Sequence, residues 1–328
     1  MTDSPASVVD ALLIGETPAV RRVKELILQV APTRVPVMIE GETGTGKELV
    51  AEALHAVSGR RGDFVAFNVC AIAESMFEDA LFGHVKGGYT GAICDSAGYL
   101  VEADMGTLFL DEIVGLPLRL QAKFLRAVEQ RVFRAVGAKR DSRSDFRVVS
   151  AANRPFGPLV RDGGLRLDLA HRLRGVVVQL PPLRERLRDI PLLAAQFVSR
   201  MERTDGRRAS ISPSAISVLT VYRWPGNVRE LRHVVESAAV LSHHGVIDGT
   251  AVTELIRGSA SSAANGNELV ARASAKARLV AAILVEGGNR RAAARSLGIG
   301  RATLYRHMHE LGIDLCELQR QPASVDTP

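Results

Sequence analysis

The chain holds 328 residues, enough for about two domains at roughly 150 residues each. Its hydrophobic share of 46% and charged share of 24% are those of an ordinary globular protein. They exclude wholesale disorder, a collagen repeat and a continuous coiled coil. The net charge of +6 admits a polyanionic partner, but it is unevenly spread: residues 1–110 carry −7, residues 111–257 carry +10 and residues 258–328 carry +3.

Cys70, Cys94 and Cys316 are the only cysteines, with no CxxC spacing. A sparse, odd set excludes a disulfide framework or a structural zinc site and fits a reducing compartment, so a cytoplasmic protein is expected. Residues 1–11 carry Asp3 and Asp10 and no basic side chain, unlike a signal peptide. No apolar run approaches the roughly 20 residues needed to span a bilayer, so no membrane insertion is expected.

Along the chain, Val20, Val23, Leu26, Ile27 and Val30 repeat at helical spacing. A short apolar strand follows over 35–39, with Pro36 at its start, where a missing N–H is tolerated. A glycine-rich turn then leads into a helix over about 48–57. Further strand-like runs occupy 64–69, 107–110, 147–151 and 176–180, separated by helical stretches. Continuous apolar strands alternating with helices predict an α/β domain around a parallel sheet covered on both faces. After Pro181 and Pro182 the strand patterns stop, and helical patterns run to about residue 257. Residues 258–266 read as a flexible linker, followed by a compact helical segment and a polar tail.

Gly41-Glu42-Thr43-Gly44-Thr45-Gly46-Lys47 fits GxxxxGK between an apolar strand and a helix, the context a phosphate-binding loop requires. Its glycines let backbone N–H groups wrap phosphate oxygens, the helix N-terminus favours the anion, and Lys47 reaches the β/γ-phosphates. Glu48 stands where a magnesium-binding Ser or Thr is usual. The run 107–110 ends in Asp111 and Glu112: Asp111 is the candidate magnesium ligand, directly or through water, and Glu112 the candidate base for the attacking water. ATP and Mg2+ are therefore the expected cofactors. Near the other end, residues 287–306 have helix–turn–helix spacing: Ala293 and Leu297 face inward, Gly298 permits the turn, and Arg301 opens the second helix. Arg301, Thr303, Arg306 and His307 are candidates for groove or phosphate contact.

Three strings, GETGTGKE at 41–48, LFGHVKGGYTGA at 81–92 and WPGNVREL at 224–231, resemble the AAA+ ATPases of the bacterial enhancer-binding family, which activate sigma-54 RNA polymerase. The second string is largely confined to that family, and the C-terminal segment resembles its Fis-type helix–turn–helix. The resemblance implies a fold with an α/β AAA+ P-loop ATPase domain, a parallel sheet with helices on both faces, then a helical subdomain and an all-helical Fis-type DNA-binding domain. The expected boundaries are a short extension at 1–12, the α/β part at 13–180, the helical part at 181–257, a linker at 258–267, the DNA-binding helices at 268–313 and a tail at 314–328.

The resemblance also carries roles. Glu42, Thr43, Thr45 and Glu48 join Gly41, Gly44, Gly46 and Lys47 in the nucleotide loop. Asn68 matches the residue that restrains Glu112, Asn153 a γ-phosphate sensor, and Arg229 a second sensor. Arg166 and Arg172 match arginine fingers presented to a neighbouring subunit, where a guanidinium's charged fork suits the γ-phosphoryl oxygens. Gly87, Gly88, Tyr89, Thr90, Gly91 and Ala92 match the sigma-factor contact loop, usually GAFTGA. Tyr89 keeps the aromatic group, and Gly88 in place of Ala is expected to loosen the loop.

The implied function is an ATP-dependent activator that binds upstream enhancer DNA, assembles a ring (a hexamer by resemblance) and remodels sigma-54 polymerase to form the open complex. A DNA-binding regulator or repressor whose ATPase does not engage sigma-54 is the alternative reading. An AAA+ remodeller or helicase loader is disfavoured by the 87–92 loop and the Fis-like end. With about a dozen residues before Leu13, the receiver-less subgroup is expected, controlled by expression level, a partner protein or a related activator in a mixed ring.

Overall fold

Proline at the first helical position, where its missing N–H is harmless, opens the first two helices, α1 (Pro5–Leu12) and α2 (Pro18–Val30). The computed structural model describes residues 4–258, apart from 90, 91, 207, 243 and 244. The chain divides into two units, Met1–Thr253 and Glu254–Pro328. Of the second, residues 254–258 are described and are helical, so Gly258, read as the start of a linker, still continues a helix. The DNA-binding candidates Arg301, Thr303, Arg306 and His307 lie outside the described residues, as do Thr90 and Gly91.

The elements continue as β1 (Val37–Glu40), α3 (Lys47–Ala56), β2 (Phe64–Asn68), α4 (Phe77–Phe82), α5 (Tyr99–Glu102), β3 (Thr107–Asp111) and α6 (Leu118–Gln130). An antiparallel pair, β4 (Val132–Phe133) with β5 (Ser142–Arg143), precedes β6 (Arg147–Ala152), α7 (Phe156–Arg161), α8 (Leu167–Leu173) and β7 (Val176–Gln179). Five strands form one sheet in the order β2-β3-β6-β1-β7, with every pair parallel. Its two faces bury different side chains, as an α/β sheet requires. Val37, Ile39, Phe109 and Val149 pack with Val9, Ile27 and Leu54, while Met38, Leu108, Leu110 and Val148 pack with Phe124 and Leu169. Burying each large aliphatic chain contributes about 1.5–3 kcal/mol.

Helix α1 belongs to this core, although its segment reads as a mere extension. Ser4 caps it by accepting Ser7 N–H at 3.2 Å, Val9 is buried, and Asp10 pairs with Lys24 at 2.7 Å. The register pairs Glu40 with Ala152 and Gln179, and Asn68 with Asp111. The segments leaving β1, β2, β3 and β6 therefore open along one sheet edge, outside the carboxyl ends of the strands, where α/β sheets bind ligands.

Beyond the sheet lie α9 (Ile190–Asp205), α10 (Pro213–Val221) and α11 (Asn227–Leu241). The absence of strand patterns after Pro182 is corrected here. Residues Ser210–Ile211 (β8) and Val246–Ile247 (β9) pair in parallel, held by Ser210 N–H to Gly245 O (2.7 Å) and Ser212 N–H to Ile247 O (3.0 Å). Two-residue strands carry no readable periodicity. No helix among the described residues is long and apolar enough to cross a membrane.

Candidate active site

The loop after β1 takes its shape from glycine. Gly44 and Gly46 have φ of +80° and +103°, a region costly for residues with a Cβ. A Cβ on Gly44 would also lie 2.3 Å from Gly226 O. Thr45 Oγ1 donates to Glu42 O (2.8 Å), and Lys47 Nζ donates to Gly41 O (3.0 Å) and Glu42 O (3.3 Å). Burial pushes the Lys47 ammonium below its ordinary range, against the pull of Glu112 and Asp111.

The acidic pair stands at the end of β3. Asp111 Oδ1 accepts Glu112 N–H at 3.1 Å, and Glu112 adopts a left-handed backbone, φ 55° and ψ 52°. That backbone turns the chain sharply where the strand ends. Burial raises the Glu112 carboxyl above the usual range. Lys47 opposes this, Asp111 reinforces it and Arg229 opposes it. Lys47, Asp111, Glu112 and Arg229 thus share one electrostatic neighbourhood. Asn153, exposed at the end of β6, joins Gly41 and Glu42 in lining a cavity of about 560 Å3 that Glu40, Pro181 and Pro182 also border.

The second face of the loop is covered by residues with no periodic signature. The turn 224–227 puts Trp224 and Asn227 at φ of 51° and 53°. It is held by Asn227 N–H to Trp224 O (2.9 Å) and by the fully buried Trp224 indole, whose N–H donates to Leu219 O (2.8 Å). Glu230 Oε2 accepts Gly226 N–H (2.8 Å), steadying the start of α11. From there Val228 N–H and Arg229 N–H donate to Gly44 O, at 2.9 and 3.3 Å. The buried Asn227 amide accepts Leu183 N–H (2.8 Å) and donates to Thr43 O (3.0 Å) and Glu42 Oε2 (3.2 Å). Arg184 grips Glu42 through two bonds of 2.8 and 2.7 Å, and buried Arg186 donates to Thr45 O (2.9 Å). The Arg184 bond, then Asn227, holds the Glu42 carboxyl below its usual range. Sequence reasoning placed Glu42 in the loop but missed Arg184, Arg186 and Asn227. Asn227 lies inside WPGNVREL, whereas nothing in 183–186 marks those arginines.

Other expected site residues stand apart. Asn68 Oδ1 accepts Cys70 N–H (3.0 Å), and no side-chain hydrogen bond joins Asn68 to Glu112. Glu48 is exposed in the first turn of α3. Arg166 and Arg172 are exposed at the two ends of α8, where Arg166 forks onto Asp168 at 3.1 and 2.7 Å. Arg229 is exposed, and no side-chain hydrogen bond ties its guanidinium.

The 87–92 segment is fastened at its base. Val85 N–H donates to Val136 O (3.1 Å), Gly87 N–H to Ala92 O (2.9 Å) and Lys86 N–H to Asp95 Oδ1 (2.7 Å). Tyr89 lies edge-on to His84 at 5.2 Å, and both reach Asp79. The expectation that Gly88 loosens the loop is corrected. A Cβ there would lie 2.7 Å from Val136 O and 2.9 Å from Val85 O, so glycine admits a close backbone approach.

Residues 13–179 match the Sigma-54 interaction domain family, residues 184–269 the AAA+ ATPase lid domain, and residues 275–311 the Fis family of bacterial regulatory proteins. The chain is 41% identical over 309 residues to the transcriptional regulatory protein ZraR of Klebsiella oxytoca, covering 93% of this chain and 69% of that one. It is 43% identical over 237 residues to the Nif-specific regulatory protein of Azotobacter vinelandii, covering 72% and 45% respectively. Among solved structures, NtrX from Brucella abortus in complex with ATP superposes with a TM-score of 0.68 at 33% identity, over 92% of this chain and 69% of that one. A RuvB mutant from Thermotoga maritima, at 17% identity and a TM-score of 0.51, shares the fold. These matches, together with a nucleotide loop facing two acids at the strand ends, place the chain in the family of sigma-54-dependent transcriptional activators, AAA+ ATPases that carry a Fis-type DNA-binding module.

Proposed function

We propose that this activator hydrolyses ATP at the 41–47 loop within a ring, and that each cycle moves loop 87–92 against sigma-54 polymerase to open promoter DNA. The convergence of Lys47, Asp111, Glu112 and Arg229 at the ends of the strands supports this reading most directly. Lys47 leaves the carbonyls of Gly41 and Glu42 for the β/γ-phosphates, and the loop amides cradle the phosphate oxygens. Glu112, a carboxyl already raised by burial, takes the proton of the attacking water, because a base works best with a pKa nearer the working pH. Arg229 and Asn153 sense the γ-phosphoryl group, and Asn68 restrains Glu112 in one nucleotide state. Arg166 and Arg172 serve the neighbouring subunit's nucleotide, for which Arg166 exchanges Asp168 for phosphate oxygens.

The donor set fits magnesium. Asp111 offers a hard carboxylate oxygen at the end of β3, the donor type that magnesium takes beside substrate phosphates. Asp111 would hold it, and bound there it neutralises charge on the β- and γ-phosphoryl oxygens. Enhancer DNA is bound by the Fis-type helices through Arg301, Thr303, Arg306 and His307.

Replacing the base tests the assignment. Glu112→Gln should bind ATP with near-normal affinity, while turnover falls on the order of 100-fold or more, the contribution of a positioned base. Turnover at the wild-type rate would overturn the mechanism.

A further inference from the structure

The side chain of Gln121, in the first turn of α6, is fully buried and has its two N–H donors and its carbonyl engaged. Nε2 donates to Leu116 O and to Gly164 O, both at 2.9 Å, and Oε1 accepts Arg166 N–H at 2.8 Å. Leu116 closes the turn that begins at Glu112, and Arg166 caps α8. One amide therefore spans the turn behind the candidate base and the residue proposed to reach the neighbouring subunit.

The two ends of this span are not equally supported. The turn has its own backbone bonds, Gly115 N–H to Glu112 O (2.9 Å) and Leu116 N–H to Ile113 O (3.1 Å). On the other side the backbone bonds Gly163 N–H to Val160 O (3.1 Å), Gly164 N–H to Leu159 O (3.1 Å) and Leu165 N–H to Leu159 O (3.3 Å) stop one residue short of Arg166, whose own N–H has the Gln121 side chain as its acceptor. Side-chain chemistry also singles out an amide. A carboxylate would place charge against the carbonyls of Leu116 and Gly164, and an aliphatic chain would leave three backbone groups without this partner, that of Leu116 buried and those of Gly164 and Arg166 half-buried.

We infer that Gln121 is a positioning residue that fixes the start of α8, and with it Arg166, for use in the adjacent subunit's site. This rests on the reading of Arg166 as an arginine finger. The guanidinium of Arg166 is exposed beyond the fixed backbone, so its reach depends on where that backbone is held.

A subunit-mixing experiment tests this. Glu112→Gln chains keep the finger but lack the base, and Arg166→Ala chains keep the base but lack the finger. Each is inactive alone, and mixing them should restore ATPase activity at interfaces where an intact Glu112 meets a neighbour's Arg166. Gln121→Leu added to the finger-donating Glu112→Gln chain should remove the rescue on the order of 100-fold, the effect of displacing a group by about 1 Å. The same change in the Arg166→Ala chain should leave the rescue intact. Gln121→Met, which keeps the length and apolar stem but loses the acceptor of Arg166 N–H, should show the same one-sided loss and serves if the leucine variant does not fold. Equal loss from either chain, or no loss, would overturn the positioning role. If the unmodified pair shows no rescue, the finger reading itself falls, and the inference with it.

Discussion

Asn227 offers the sharpest perturbation of the junction between α11 and the nucleotide loop. Truncation to alanine removes the acceptor of Leu183 N–H and the donations to Thr43 O and Glu42 Oε2. A buried, unpaired N–H costs about 1–3 kcal/mol, and bonds to a charged acceptor are worth about 1.5–3 kcal/mol. The left-handed backbone at φ 53° adds about 1 kcal/mol for alanine that glycine avoids. Since these contributions do not add fully, Asn227→Ala should lose about 3 kcal/mol, and Asn227→Gly about 1 kcal/mol less. Urea unfolding of the full chain gives both numbers. ATP titration should show weakened affinity in both variants, since a loop no longer held must be ordered by the ligand. Equal unfolding free energies for the two variants would refute the backbone argument. Unchanged ATP affinity would refute the coupling between the helical subdomain and the loop.

The neighbouring Arg184 should matter far less. Its pair with Glu42 is about two-fifths exposed on both sides, where water screens the charges, so Arg184→Gln should cost only a small fraction of the Asn227→Ala loss, and a loss as large as that of Asn227→Ala would contradict this ranking. Gly137→Ala meets both a φ of 76° and a Cβ only 2.4 Å from Gly88 Cα. It should lower Tm by several degrees and impair promoter opening while ATPase activity persists; an unaltered melting curve would dismiss the predicted clash. Because the Glu112 carboxyl is raised by burial, ionisation there opposes folding. That penalty is absent below the unfolded value of 4.5 and complete above the folded value. Glu112→Gln should therefore raise Tm at neutral pH by a margin that fades as pH falls towards 4.5, and a margin that grows on acidification would reverse the sign.

The sheet was legible because each core strand is a short apolar run and each ends in polar chemistry: Gly41 after β1, Asp111 at the end of β3 and Asn153 after β6. Local pattern is sufficient there. The clamp on the loop was not legible, because Arg184 and Asn227 reach Glu42 across 142 and 185 positions, and no periodicity encodes such a meeting. Gly88 was misread for the same reason. Taken alone it is a flexible residue, and only the turn at Val136 and Gly137 reveals that a Cβ has no room. Helix α1 escaped notice because eight residues give barely two turns of pattern, and its order comes from packing Val9 into the core. Gln121 reads as one more polar position on an amphipathic helix until its three backbone partners are seen.

ATP turnover at the strand ends should drive promoter opening through loop 87–92. Open-complex formation by purified sigma-54 holoenzyme, measured with the full chain carrying Thr90→Ala, separates the two steps. The wild-type chain should open the promoter only with hydrolysable ATP, and the variant should hydrolyse ATP at a comparable rate yet open nothing. Promoter opening that survives Thr90→Ala, or that proceeds without hydrolysis, would contradict the mechanism.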